Sequence, residues 1–240
     1  MGLTVTVLGC DGGYPGPGGA ASGYLVQGGG ATVWLDAGHG TLANLQRHVD
    51  VEDLDAVVLS HEHPDHWADL EGLAVILGYE LGRKGLAVHA PAGLRARVYH
   101  DPPGFYDWCE VADGDRAEVG GLVLRFSRTD HGPETLAVRV DGEGRSLGYS
   151  ADTGPGWSLA ALGGGLDLAL CEATYLESAV GSGRHLTAHQ AGAMARDAGV
   201  SRLVVTHRSP RAGAEAVRAE ASEAFAAAVA QAAVDAVLEI

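Results

Sequence analysis

The sequence predicts an α/β fold in which two packed sheets are flanked by helices. Short apolar, β-branched runs alternate with stretches of helical apolar spacing along most of the chain. Several of those runs, in both halves, end in a histidine or aspartate followed by a turn, a pattern that makes sense if the strand ends converge on one site. The chain has 240 residues and 46% hydrophobic content, enough for a substantial core. No composition break, long linker or repeat divides it, so residues 1–240 are expected to form one domain.

Taken in order, strands are expected near 3–9, 22–28 and 32–37, a helix near 41–49, a strand at 55–60 and a helix near 67–81. Gly82-Arg83-Lys84-Gly85 is a short turn. Further strands precede His131, run through 135–140 and 145–150, and occupy 168–171 and 203–206, with a short helix at 156–163. Thr187 followed by Gln190 makes a capping box that starts a helix over 187–198. The Ala-rich stretch 212–232 has high helix propensity and an apolar face and is expected to form a packed outer helix, with 234–240 closing as an edge strand.

The strand at 55–60 opens onto Ser60-His61-Glu62-His63-Pro64-Asp65-His66, where four metal-ligand types stand within six residues. Pro64 has no backbone N–H and is expected to hold helix off until about Trp67, leaving the ligands on a loop. Imidazole suits zinc and a carboxylate can complete or bridge a metal pair, so His61 and His63 could serve one ion and Asp65 and His66 its neighbour. Four ligands cannot close two sites, and one position must stay open for water. Further donors stand at other strand ends: His131 after the 122–126 run, Asp152 after 145–150 and His207 after 202–206.

With these residues the chain resembles the metallo-β-lactamase superfamily, and within it the branch of ribonuclease Z and related phosphodiesterases. The resemblance runs through Val7-Leu8-Gly9, Leu35-Asp36-Ala37-Gly38, the 61–66 motif, His131, Ser150-Ala151-Asp152-Thr153-Gly154-Pro155, Cys171-Glu172-Ala173-Thr174, His185-Leu186-Thr187 and Thr206-His207-Arg208-Ser209-Pro210-Arg211. It implies a four-layer αββα sandwich. It implies that His61, His63 and His131 hold one zinc, that Asp65, His66 and His207 hold the other, and that Asp152 bridges, with manganese or iron(II) as alternative metals. Zinc β-lactamases of the best-known type have Cys where this chain has Asp152. His185 resembles the ribonuclease Z histidine that protonates the leaving oxygen, with Glu172 as its partner; Asp65 is expected to orient the nucleophile as well as to ligate. Ala151 and Arg208 depart from the Gly and the aromatic or apolar residue common in the family.

A formal net charge of −15 argues against general nucleic-acid affinity, leaving Arg184, Arg208 and Arg211 beside the motifs as candidates to hold phosphate oxygens. The long Gly- and Pro-rich arm by which ribonuclease Z enzymes grip tRNA has no counterpart here, so a small cyclic nucleotide or related diester is favoured over pre-tRNA. The alternatives are a ribonuclease Z-type tRNA 3′ endonuclease, a lactone, ester or thioester hydrolase, and a zinc-binding scaffold without activity. His185 and Glu172 discriminate, being needed for a phosphate leaving group and dispensable for an acyl one. No signal peptide or spanning segment is evident, which points to the cytoplasm and away from membranes and leaves a homodimer open. Cys10, Cys109 and Cys171 are odd in number and widely spaced, as expected for free thiols. The Gly-rich 9–19 stretch lacks the Lys of a phosphate-binding loop and is expected to lie over one side of the cleft, with Tyr14 in reach of substrate; His39 is a further, weaker lining candidate.

Overall fold

The computed structural model describes residues 2–181 and 183–240. The first sheet is built from β1 (Thr4–Gly9), β2 (Gly23–Gly28) and β3 (Ala31–Ala37), followed by helix α1 (Thr41–Leu45) and the short β4 (Ala56–Val58). A 3-10 turn over Pro64–His66 leads into α2 (Leu70–Val75), whose last turn widens into a π-helix over Ile76–Leu81 before β5 (Leu86–Ala90) and β6 (Tyr106–Glu110). The second sheet takes β7 (Arg116–Val119), β8 (Leu122–Arg128), β9 (Leu136–Gly142), β10 (Arg145–Tyr149) and β11 (Leu168–Glu172). Then come α3 (Ala188–Asp197), β12 (Leu203–Thr206), α4 (Ala214–Phe225), β13 (Ala230–Gln231) and β14 (Val237–Glu239).

Each sheet has seven strands, ordered β14-β1-β2-β3-β4-β5-β6 and β13-β12-β11-β10-β9-β8-β7. Strand alternation sorts the apolar residues into layers. In β3, Val33 and Leu35 join the core between the sheets, where they meet Leu124, Val138, Leu147 and Leu170. Trp34 points the other way, into a core with Leu45 of α1 and Leu70 and Leu73 of α2. On the second sheet Ala169 and Cys171 pack outward against Ala191 of α3 and Val217 of α4. Strands buried on both faces read as nearly continuous apolar runs, which is why the inner strands were legible. The result is the expected helix–sheet–sheet–helix sandwich. Among the described residues no helix is long and apolar enough to cross a membrane.

Direction matters more for the site than layering. β10, β11 and β12 run parallel, so their carboxyl ends, and the residues just beyond them, lie at one edge of the second sheet. β3 and β4 are likewise parallel in the first sheet.

Several expectations change. Pro64 opens a three-residue 3-10 turn, since proline is favoured at a first helical position whose N–H would be unpaired anyway, while the α-helix is held off until Leu70. The helix expected over 41–49 is regular only over Thr41–Leu45, and that at 156–163 is a 3-10 turn, Leu159–Leu162. The Ala-rich stretch is not one helix: α4 stops at Phe225, Ala226 turns left-handed at φ 60, and β13 pairs parallel to β12. Sheet completion there outweighs alanine's helix propensity.

Candidate metal centre

Both sheets deliver candidate ligands to one place. The loop after β4 carries His61, His63, Asp65 and His66; the segments after β8, β10 and β12 carry His131, Asp152 and His207. All but His63 are buried, His61 and His66 completely. Three residues that aim this constellation take left-handed backbone: Asp36 at φ 57, Ala151 at 49 and His207 at 48. A glycine is needed at position 12 because a Cβ there would lie 2.7 Å from His207 Nδ1.

The donor atoms form two corners sharing one carboxylate. In the first, His63 Nδ1 is 3.0 Å from His61 Nε2 and 3.2 Å from His131 Nε2, and Asp152 Oδ2 is 3.5 and 3.7 Å from His61 Nε2 and His131 Nε2. In the second, Asp65 Oδ2 lies 3.5 Å from His66 Nε2 and 3.4 Å from His207 Nε2, while Asp152 Oδ1 is 3.3 and 3.2 Å from the same two nitrogens. Ligands about 2.1 Å from a tetrahedral ion stand about 3.4 Å apart, so both corners have the span of a coordination shell. His66 Nε2 and Asp152 Oδ1 are buried without a hydrogen-bond partner, a costly state for polar atoms that an ion would relieve. The residues present therefore fit divalent metal.

The far side of each imidazole is held as well. Asp36, fully buried, accepts from Ser60 N at 2.7 Å, Ser60 Oγ at 2.8 Å, His66 Nδ1 at 2.7 Å and Tyr149 Oη at 2.7 Å. Ser60 Oγ, its proton committed to Asp36, faces His61 Nδ1 at 3.0 Å. The Arg184 carbonyl accepts from His131 Nδ1 at 3.0 Å, and Thr174 Oγ1 faces His207 Nδ1 at 2.9 Å. With each Nδ1 carrying the proton, the Nε2 lone pairs of His61, His66, His131 and His207 are left for metal.

In the metal-free chain, electrostatics separates these imidazoles from one another. Burial, reinforced by the His66 charge, pushes His61 well below the ordinary histidine range. Burial opposes ionisation of Asp152 too, but the imidazoles of His207, His66 and His61 hold its carboxyl well below the carboxylate range. His66 goes the other way: burial lowers it, yet Asp152, Asp65 and Asp36 raise it well above 6.5. Metal-free protein thus holds a proton on His66 at neutral pH, and loading must displace it. Apparent metal affinity is expected to rise with pH, with proton release on loading. A chelator-competition titration over about pH 6.5–8.5 checks this; flat affinity would mean that His66 is neutral before the metal arrives.

Beside the second corner, His185 Nδ1 donates to Glu172 Oε1 at 3.0 Å, and its ring stacks on His207 at 5.3 Å between centroids. Burial lowers the imidazolium, but the hydrogen bond and charge of Glu172, with Asp152 and Asp65, outweigh it and push His185 up to about 9. Glu172, expected at a strand end, is fully buried and also accepts from Thr153 N, Thr174 Oγ1 and Leu186 N.

The three arginines part company. Arg208 donates to the Ser209 and Ala212 carbonyls and lies 3.6 Å from Asp11, so its guanidinium braces its own loop. Arg184 is 68% exposed and reaches Asp130 at 3.5 Å. Arg211 is exposed. The Gly-rich segment does lie against the centre: Gly13 N donates to Asp65 Oδ2 at 2.8 Å, and the next residue, Tyr14, is 49% exposed. His39 is exposed beyond the Asp36 turn. Burial pushes the Cys10 and Cys171 thiols up to about 12, which leaves neither as a nucleophile at neutral pH. Sequence reasoning missed Ser60, Tyr149 and Thr174 and gave Asp36 no role.

A model described as a beta-lactamase superfamily domain matches residues 31–208. An uncharacterized protein of Mycobacterium tuberculosis is 35% identical over 238 residues, covering 93% of this chain and 87% of its own. The probable metallo-hydrolase YhfI of Bacillus subtilis is 31% identical, covering 93% and 94%, and its crystal structure superposes with a TM-score of 0.91 over 100% of both chains. A ribonuclease Z of Halorubrum lacusprofundi is 29% identical, covering 94% of this chain and 93% of its own. The fold alone is shared with the short form of human tRNase Z, at TM-score 0.79 and 22% identity over 99% of both chains. The family model takes in strands of both sheets and every candidate ligand of the two corners, and the chain belongs to the beta-lactamase superfamily.

Proposed function

We propose that residues 1–240 act as a dinuclear zinc-dependent phosphodiesterase on a small cyclic nucleotide or related diester. The observation that carries the reading is the His185–Glu172 pair standing beside a complete seven-ligand, two-corner site. When bound, a pair of divalent ions supplies Lewis-acid stabilisation of phosphoryl oxygens and acidifies water. The chain's own residues supply the rest. Glu172 holds the His185 ring by Nδ1, leaving the proton on Nε2 for the departing alkoxide. Asp65, its Oδ2 tied to Gly13 N, orients the nucleophile as well as ligating. A leaving alkoxide needs a proton in a way that a thiolate does not, which favours the diester over the thioester. A scaffold without activity would have no use for the acid pair.

Substrate size follows from charge and chain length. The body carries −15, and of the three arginines beside the motifs Arg208 is occupied by its own loop. Only Arg184 and Arg211 remain for phosphate oxygens. The ribonuclease Z alignment runs over 288 positions although it takes only 94% of this 240-residue chain, so that relative has segments this chain lacks. Metal-loaded protein is expected to turn over small cyclic diesters better than pre-tRNA, with a shallow salt dependence, because a single-phosphate ligand releases few counterions. Steady-state assays on both substrates at several salt concentrations check this. Efficient, steeply salt-sensitive 3′ cleavage of pre-tRNA, with no action on cyclic nucleotides, would establish the ribonuclease Z reading instead.

A further inference from the structure

The site uses one device twice. At Asp36, a buried carboxylate accepts directly from one imidazole Nδ1, that of His66, and reaches a second, His61, through the hydroxyl of Ser60. At Glu172 the carboxylate accepts directly from His185 Nδ1 and reaches His207 through the hydroxyl of Thr174, with Thr174 Oγ1 at 2.7 Å from Glu172 Oε2 and 2.9 Å from His207 Nδ1. Both hydroxyls are buried. A hydroxyl has one proton, and the charged carboxylate takes it, at Thr174 from 2.7 Å ahead of the neutral His207 carbonyl at 3.0 Å; what remains is a lone pair that can only accept, so Nδ1 of the facing imidazole must carry hydrogen. In the first hub both imidazoles belong to the ligand set. In the second, one is a ligand and the other is the acid.

We infer that Thr174 is a positioning residue that ties the acid pair to the second metal corner, fixing the His207 tautomer and at the same time anchoring Oε2 of Glu172 so that Oε1 stays on His185. Neither task alone needs this hydroxyl. Glu172 already has backbone donors from Thr153 and Leu186, and a lone ligand histidine can be held by a carbonyl, as His131 is by Arg184. The shared hydroxyl makes the orientation of the acid depend on the orientation of the ligand. The inference rests on the metal-site reading above, and its metal arm requires no knowledge of the substrate.

The test compares Thr174→Val, which keeps the shape without the hydroxyl, with Thr174→Ser, which restores it. Zinc affinity is measured by chelator competition, and turnover is compared between a p-nitrophenyl diester and one with an unactivated alkoxide. Thr174→Val is expected to weaken one of the two zinc ions by about 10–100-fold, as loss of a ligand's outer partner does. It should also lower turnover of the alkoxide diester more than that of the p-nitrophenyl one. Thr174→Ser should recover both, and the His207 Nδ1–H resonance, visible by nitrogen-edited NMR of the zinc-loaded protein, should lose its hydrogen-bonded shift and exchange protection in the Val variant only. Two zinc ions at wild-type affinity in Thr174→Val would overturn the inference. So would weakened zinc with an unchanged leaving-group preference, since the hydroxyl would then serve the ligand alone. If no diester is hydrolysed by the unsubstituted protein, the proposed function fails, while zinc affinity and the His207 proton still decide whether Thr174 fixes the ligand.

Discussion

Asp152→Ala is expected to strip the protein of both metals together and to reduce hydrolysis to background. The carboxylate sends Oδ2 toward His61 and His131 and Oδ1 toward His66 and His207, and among the described residues no other side chain belongs to both corners. Loss of a mere outer partner costs about 10–100-fold in metal affinity, and removing a shared ligand should exceed that at each corner. The loss also leaves imidazoles facing one another in a buried space without the charge that offsets their mutual repulsion. Metal analysis after reconstitution gives the answer directly: the unsubstituted chain should hold two ions and the variant none. A variant that keeps both would remove Asp152 from the bridging role, and a wild-type stoichiometry fixed at one would end the dinuclear model.

His185→Ala should show the opposite pattern, with metals retained and chemistry selectively lost. A positioned acid contributes roughly 10²–10⁴-fold when the leaving oxygen needs a proton and little when it departs as a stable anion. Diesters of ordinary alcohols should therefore suffer the full loss, while p-nitrophenyl diesters stay comparatively good substrates. The high His185 pKa, about 9 in the metal-free protein, bears on the unsubstituted enzyme. Nearby cations disfavour the imidazolium and would bring it down toward neutrality, where an acid is most effective. Equal losses on both kinds of leaving group would mean that His185 places the substrate instead.

The candidate ligands were legible because each lies in a segment that follows a strand, and strand ends are where open α/β sheets present chemistry. β5, β6 and β7 were not read. β7 and β6 are edge strands whose side chains are largely exposed, so they show no apolar pattern; β5, short and behind the Gly82–Gly85 turn, gave no alternation to separate it from a loop. Asp36 and Ser60 stand 24 positions apart and Asp36 and Tyr149 stand 113 apart, and such pairings carry no signature of spacing. Thr174 hid for a different reason: a threonine beside a glutamate at a strand end is ordinary until the fold shows what it faces. Conversely, Ala151, where the family resemblance led one to expect glycine, takes the left-handed backbone that glycine adopts most easily.

The ligands of each corner come from both sheets, His61 and His63 from the first with His131 from the second, Asp65 and His66 from the first with His207 from the second. An ion at either corner would therefore be a cross-link between distant stretches of chain. Closing loops of that length removes much of the freedom an unfolded chain would regain, worth about 4–5 kcal/mol for a covalent tie around ~100 residues. The same atoms proposed to carry out the chemistry would thus rivet the two halves of the sandwich along one rim. Prising the sheets apart at that rim and losing catalytic competence become a single event, so that a molecule still able to react is by construction one that has not begun to open there.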